Sequence, residues 1–455
     1  MSGSIIVIDV PGLDQSHLSK MPNLASMADK GRQGEVRVEA PALTLPVHAA
    51  MTSGLSLSQH GIIGNGWYER DRNEVFFWPQ SEKLQQGEKI WDKAHPYYQG
   101  SRSFKCFMWP GMASSADSYI NVRPVYFADG RKKSGVYSNS PAALERIIKS
   151  CGEFPLHRFW GPGVSIESTR WIAQACASEI RERKPRLSFV YLPHLDYHAQ
   201  TLGPGHQQIG NEASALDAVL AEFFAATASE QPTFVVMSGY QMNAVSGPIW
   251  LNRILRKSGH LEVVENEAGE LIDFARSSAF AIADHQVAHV YVNRNKCDEV
   301  KQCLLAADVG EVLGRVEQES RKLWHPRSGE FLVLAKPDRW FAYPYWLDES
   351  KAPDFAQTVA IHAKPGYDPC EMLFDERLRF PKLSVAKRLL LKRCGFRSLM
   401  DVVSLDATRI RGSHGVAPAA GAPRATWICS SATGGFGDVW RVADLPGVIA
   451  TLSGS

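Results

Sequence analysis

Three short apolar runs in the chain end abruptly in polar residues. IIVI at 5–8 runs into Asp9, LSFVYL at 187–192 into Pro193-His194-Leu195-Asp196, and TFVVM at 233–237 into Ser238-Gly239-Tyr240. Short β-branched and aromatic runs without polar alternation predict strands buried on both faces, as in a parallel sheet. Between them the period changes. Ile166, Trp171, Ile172, Ala175 and Ile180 mark one helix over 166–183, and Leu216, Val219, Leu220 and Phe223 another over 212–226. Strand–helix–strand alternation predicts an α/β fold: a doubly wound, mostly parallel central sheet with helices on both faces. Ligands of such sheets gather beyond the carboxyl ends of the strands. Asp9, Asp196 and residues 238–240 fall there.

Two stretches break this pattern. Residues 70–165 are rich in Trp, Tyr, Phe, Pro and Gly (FFWPQ, HPYYQG, FMWPGM, RFWGPG). They read either as an insertion walling a pocket or as loops packed by their own aromatics. Residues 295–410 form a second loop-rich insertion, with a basic helix-like stretch, KLSVAKRLLLKR, at 382–393. That stretch is read as a solvated surface helix, with contact to a membrane or polyanion as the alternative. The Gly/Ala/Ser-rich residues 417–455 are expected to be a C-terminal extension of uncertain structure.

Composition narrows the possibilities. With 50 Lys+Arg against 48 Asp+Glu in 455 residues, the chain is not a polybasic nucleic-acid coat, and no nucleic-acid polymer is expected as partner. No apolar run approaches the ~20 residues that span a bilayer. The opening residues lack a basic leader region and read as a first strand. The eight cysteines are scattered without a CxxC pair, so reduced thiols, a cytoplasmic location and no thiolate zinc site are expected.

The chemistry lies in a combination of motifs. Asp9 is followed by MPNLASMADKG at 21–31, then by PALTLPVH at 41–48, MTSG at 51–54 and HGIIGN at 60–65. Thr44 and Asn65 stand 21 residues apart, Asp196 precedes Leu202-Gly203-Pro204, and Gly412-Ser413-His414-Gly415 comes late. This series resembles the type I phosphodiesterase/nucleotide pyrophosphatase branch of the alkaline phosphatase superfamily. LPHLDY, ADHQVAH, KPGYDP and GSHG further resemble a divergent bacterial subgroup, extending the likeness across most of 4–416. The resemblance implies one alkaline phosphatase-like domain over residues 1–416 that carries both insertions. It implies a threonine nucleophile, Thr44, activated by a divalent cation, since a free hydroxyl is a poor nucleophile. Up to two ions, zinc or alternatively manganese, would be held by Asp9 and Thr44 on one side and by Asp196 and His414 on the other. Asn65 would donate its amide to a phosphoryl oxygen.

The departures are specific. Gln200 stands where the family places a histidine ligand, and Gly239-Tyr240 where it places Asp-His. Asp284, His285 and His289, in ADHQVAHVYV at 283–292, are read as metal or substrate contacts, with Gln200 and Tyr240. On one strand, His285 and His289 would share a face; hydrogen-bonded histidines at a sheet edge are the alternative. Asp368 reads as a turn residue, His48 as a residue that orients the nucleophile turn or is structural, and Trp67 and Tyr68 as core. The expected function is metal-dependent hydrolysis of a phosphodiester, pyrophosphate or phosphonate-like small molecule through a covalent phospho-threonine. A degenerate member that binds a phosphorylated metabolite or partner without turnover is one alternative. A biosynthetic transferase on the same fold is another.

Overall fold

The computed structural model describes residues 3–98, 102–127 and 132–454. Parts of the aromatic-rich segment, 99–101 and 128–131, lie outside the described residues. In chain order the strands that matter are β1 (Ile5–Asp9), β2 (Arg32–Arg37), β3 (Ser103–Cys106), β4 (Ser118–Val122), β5 (Val136–Ser138), β6 (Leu187–Tyr191) and β7 (Thr233–Met237). Then come β8 (Ala279–Asp284), β9 (Val287–Val292), β10 (Glu311–Leu313), β11 (Phe331–Leu334), β12 (Thr426–Cys429) and β13 (Val439–Arg441).

Among the described residues the central sheet has nine strands in the order β13-β2-β12-β7-β1-β6-β3-β4-β5. The three apolar runs of the sequence are its middle. β1 pairs in parallel with β6 and β7, and every residue of β1 is buried. β3 and β4 continue the parallel run on one side. β12 enters antiparallel between β7 and β2, so the sheet is mixed.

Five helices frame the carboxyl edge of this sheet and its flanks: α1 (Pro22–Lys30), α2 (Thr44–Ser53), α3 (Ile166–Arg183), α4 (His194–Leu202) and α5 (Gln207–Thr227). α5 packs against α1, α3 and α4. Its buried Ile209, Ala213, Leu216, Val219, Leu220 and Phe223 explain the apolar spacing read from the sequence.

The boundaries drawn from the sequence shift. The segment 70–165 is not wholly an insertion, since β3, β4 and β5 from it extend the central sheet. Residues 417–455 supply β12 and β13, and the TWIC run of β12 is buried in the sheet interior. Four residues give too short a period to stand out from their Gly- and Ser-rich flanks. A separate antiparallel sheet, β8-β9-β11-β10, gathers its own apolar core with Phe341, Tyr343, Tyr345 and Trp346. The basic stretch forms the helix Pro381–Arg393 with no buried residue, as a solvated surface helix should.

Cys106 of β3 and Cys176 of α3 form a disulfide across 70 residues, so the expectation of uniformly reduced cysteines is corrected. Their spacing in the sequence carries no sign of it, because the parallel crossover brings them together. No helix among the described residues is long and apolar enough to cross a membrane.

Candidate active site

The site forms where β1, β6 and β7 end together: Asp9 pairs with Tyr191 on one side and Met237 on the other. The chain leaving β7 turns through Ser238 and Gly239, and the Tyr240 carbonyl accepts the Gly12 N–H at 3.0 Å. α2 opens on Thr44 after an extended Leu43, and nine of its ten residues are buried. Asn65 Oδ1 accepts the Leu45 N–H at 3.0 Å, which fixes the turn that presents Thr44.

Thr44 Oγ1 lies 3.2 Å from the Tyr240 hydroxyl. The Tyr191 hydroxyl interacts with both. Burial, followed by the nearby Asp196 charge, pushes both phenols well above their usual range, so Tyr191 and Tyr240 keep their protons at neutral pH and serve as donors. The two carboxylates acting on this hydroxyl trio are Asp9 and Asp196.

Asp9 is held by His48. The His48 Nδ1 accepts the Trp109 N–H at 2.9 Å, so Nε2 carries the proton and donates to Asp9 Oδ2 at 2.9 Å. Burial lowers the imidazole pKa, which keeps it in that neutral form. His48 therefore orients Asp9, not the threonine. Asp9 Oδ1 is buried with no partner.

Asp196 and His414 meet, as the family resemblance implies, with His414 Nε2 3.9 Å from Asp196 Oδ1. The His414 Nδ1–H donates to the Ala42 carbonyl at 2.7 Å, leaving Nε2 a bare, buried lone pair without a partner. Burial raises Asp196 to about 7. Gln200 takes a linking role: its amide donates to Asp196 Oδ1 at 3.1 Å while its oxygen accepts the Tyr367 hydroxyl at 2.8 Å. Four rings form a column. Tyr240 stacks on His414 at 3.8 Å, His414 lies 3.9 Å from His285, and His285 stacks on Tyr367 at 3.6 Å.

Asp284 backs this column. It accepts the Asn65 N–H at 2.8 Å, the Asn65 amide at 3.2 Å and the His285 Nδ1–H at 2.7 Å. Burial raises it to about 6. Asn65 thus clamps the Thr44 turn to Asp284, and at least one of its amide hydrogens faces that carboxylate. His285 and His289 do not share a strand face. His285 sits in the β8–β9 turn at φ +57°, whereas His289 lies within β9. His289 Nε2 bonds the Ile63 carbonyl at 3.2 Å and Nδ1 accepts the Gly329 N–H at 3.3 Å. No nitrogen remains for a metal, so its reading as a contact is corrected. Asp368 caps the Cys370 N–H as a turn residue, and Trp67 is buried in the core. Tyr68 packs on Phe274, Phe280 and Tyr291.

The donor set suits the ions that the motifs imply only in part. The orphaned His414 Nε2 and the adjacent Asp196 fit one divalent cation. Asp9 Oδ1 is a second unpartnered donor, but Tyr240 supplies a protonated phenol and Gly239 no ligand. A Cβ at Gly239 would lie 2.1 Å from Val47 Cγ1, so Val47 fills the space of the missing acid. Among the described residues no three His, Cys, Asp or Glu side chains converge here.

A cavity of about 800 Å³, mouth included, opens over Thr44, Asp196, Tyr191 and His285. Its walls are Trp78, Trp109, Phe159, Trp160, Tyr197 and Tyr367, with Lys132 and His362 also lining it. The aromatic segment 70–165 does wall a pocket. Sequence reasoning missed Tyr191, Tyr197 and Tyr367; Tyr367 lies inside the KPGYDP motif, one residue before the aspartate that drew attention.

Comparison with known proteins decides the family. The family model for type I phosphodiesterase / nucleotide pyrophosphatase matches residues 5–368. The chain belongs to this family. An uncharacterised pyrophosphatase/phosphodiesterase of Schizosaccharomyces pombe is 22% identical over 381 residues, covering 80% of this chain and 68% of that one. A bis(5'-adenosyl)-triphosphatase of Xenopus laevis is 33% identical over 115 residues, a match spanning 24% of each protein. Among solved structures, phosphonoacetate hydrolase of Sinorhizobium meliloti with phosphonoformate superposes with a TM-score of 0.63 at 14% identity, covering 99% of this chain and 96% of that one. An inactive murine ectonucleotide pyrophosphatase/phosphodiesterase 5 with AMP gives 0.58 at 14% identity, covering 99% and 95%. These likenesses extend the family's fold to the residues beyond 368.

Proposed function

We propose that this family member hydrolyses a phosphodiester, pyrophosphate or phosphonate-like small molecule bearing an aromatic or apolar group, with Thr44 as nucleophile. One observation carries the reading: Thr44, at the first turn of a buried helix, lies on the floor of an aromatic cavity beside two carboxylates and two proton-bearing tyrosines. The N-terminal end of α2 favours an anion there. The aromatic walls offer stacking area for a base or aryl group. Lys132 is the cation among the lining residues.

Attack forms the Thr44 Oγ1–P bond and breaks the bond to the leaving oxygen. The threonine proton passes toward Asp9 or Asp196, and the Tyr191 and Tyr240 hydroxyls donate to phosphoryl oxygens as charge builds. Water then releases the phosphoryl group and restores Thr44. A divalent ion between Asp196 and His414 would supply positive charge to the phosphoryl oxygens. Zinc and manganese both suit a carboxylate–imidazole pair.

A second reading, binding without turnover, is favoured by Gly239 and by Tyr240 sitting on Thr44. Assays of a bis-aryl phosphate and an aryl monophosphate with added Zn or Mn separate the two. Hydrolysis of the diester that falls at least ~10³-fold in Thr44→Ala supports catalysis. Turnover undiminished in that variant removes the nucleophile assignment, and no turnover with retained ligand binding supports the second reading.

A further inference from the structure

The sequence HLDYHAQ places two i, i+4 pairs on α4, and they serve different sides of the helix. Asp196 lines the cavity, and Gln200 is hydrogen-bonded to Asp196 and to Tyr367, which lines it too. His194 and His198 face α5, where they meet Glu212. Positions four apart lie on one helical face, and the two pairs are offset by two residues, which sets them on opposite sides.

From this arrangement we infer a further metal site: His194, His198 and Glu212 bind a borderline divalent cation such as Zn²⁺, Co²⁺ or Ni²⁺, apart from the cavity. One ligand atom from each of the three lies within 4.8 Å of the others, the only such group among the described residues. His194 Nε2 is 2.8 Å and His198 Nε2 3.7 Å from the same Glu212 oxygen. Ligand atoms on a tetrahedral zinc, with bonds of about 2.0–2.1 Å, stand roughly 3.3 Å apart. The observed separations bracket that value, so small rotations of His198 and Glu212 complete the set.

Burial is graded in a way that suits an ion. The His194 side chain is fully enclosed, while those of His198 and Glu212 keep 21% and 16% of their surface, leaving an approach from solvent and room for a water ligand. His194 Nδ1 is buried without a hydrogen-bond partner, and the ring packs edge-on against His198 at 5.2 Å. Two imidazoles select zinc-like ions over calcium or magnesium. An ion here ties α4 to α5 and steadies the turn that carries Asp196 on its other side.

The test uses full-length protein stripped with a chelator, with Zn²⁺ as probe, in an Asp196→Asn background that weakens the cavity site. Equilibrium dialysis is expected to retain one zinc per chain in Asp196→Asn. Adding His198→Gln, or independently Glu212→Gln, is expected to weaken that binding at least tenfold and to abolish the zinc-induced rise in melting temperature. Circular dichroism without zinc shows which variants fold, and either one suffices. Equal zinc affinity with and without the second substitution, or no zinc retained by folded Asp196→Asn, overturns the site.

Discussion

Asp196 shows what burial does to one residue. Its pKa, raised to about 7, means the folded protein binds the proton more tightly than the unfolded chain. A raised carboxyl contributes stability fully below the unfolded value near 4, and loses it as pH climbs through 7. Asp196→Asn is therefore expected to stabilise metal-free protein at pH 8, on the order of 1–3 kcal/mol, and to gain little at pH 4. Urea melts at both pH values check this, and a larger gain at pH 4 would contradict it. Gly239 makes a second case. Gly239→Glu alone drives a side chain into Val47 and is expected to lower stability by about 1–3 kcal/mol without raising metal content. Paired with Val47→Ala, the acid gains room, and bound metal measured by mass spectrometry should rise. His289, bonded at both nitrogens to backbone, behaves as a structural residue. His289→Ala should cost about 1–3 kcal/mol while leaving the metal content of the folded fraction unchanged.

At the scale of elements, legibility follows signal length. β1, β6 and β7 were readable because each is an unbroken apolar run ending in a polar residue at one edge of the sheet. α2 was not readable as a helix, since a helix buried all round has no amphipathic stripe; its motif marked only Thr44. Asp9, Thr44, Asp196 and His414 were nameable through the family resemblance and do converge. Tyr191, Tyr367 and the ring column were not, because tertiary pairing alone brings these side chains to Tyr240. β12 escaped for a different reason: four residues within a Gly- and Ser-rich stretch carry no period, although they sit between β2 and β7. Truncation after Val416 removes that strand from the sheet interior. The shortened chain is expected to be insoluble or to lack a cooperative melt, and a soluble fragment with the parent melting temperature would show that β12 is dispensable.

Across the molecule, one long-range covalent link and one cavity organise the rest. The Cys106–Cys176 disulfide closes a 70-residue loop between β3 and α3 beneath the aromatic wall. Denatured, unreduced protein should titrate as six thiols, not the eight of the full sequence. The near-neutral charge of the chain says nothing about anion recognition, because the proposed site rests on a helix terminus, buried hydroxyls, carboxylates and imidazoles. All of these bear on Thr44, so the central claim is chemical and can be read as mass. Protein mixed with a bis-aryl phosphate and quenched in acid should carry one phosphoryl adduct, mapped to the peptide containing Thr44 and absent from Thr44→Ala. Turnover of the diester with no adduct on that peptide, or an adduct that persists in Thr44→Ala, would contradict the assignment of Thr44 as nucleophile.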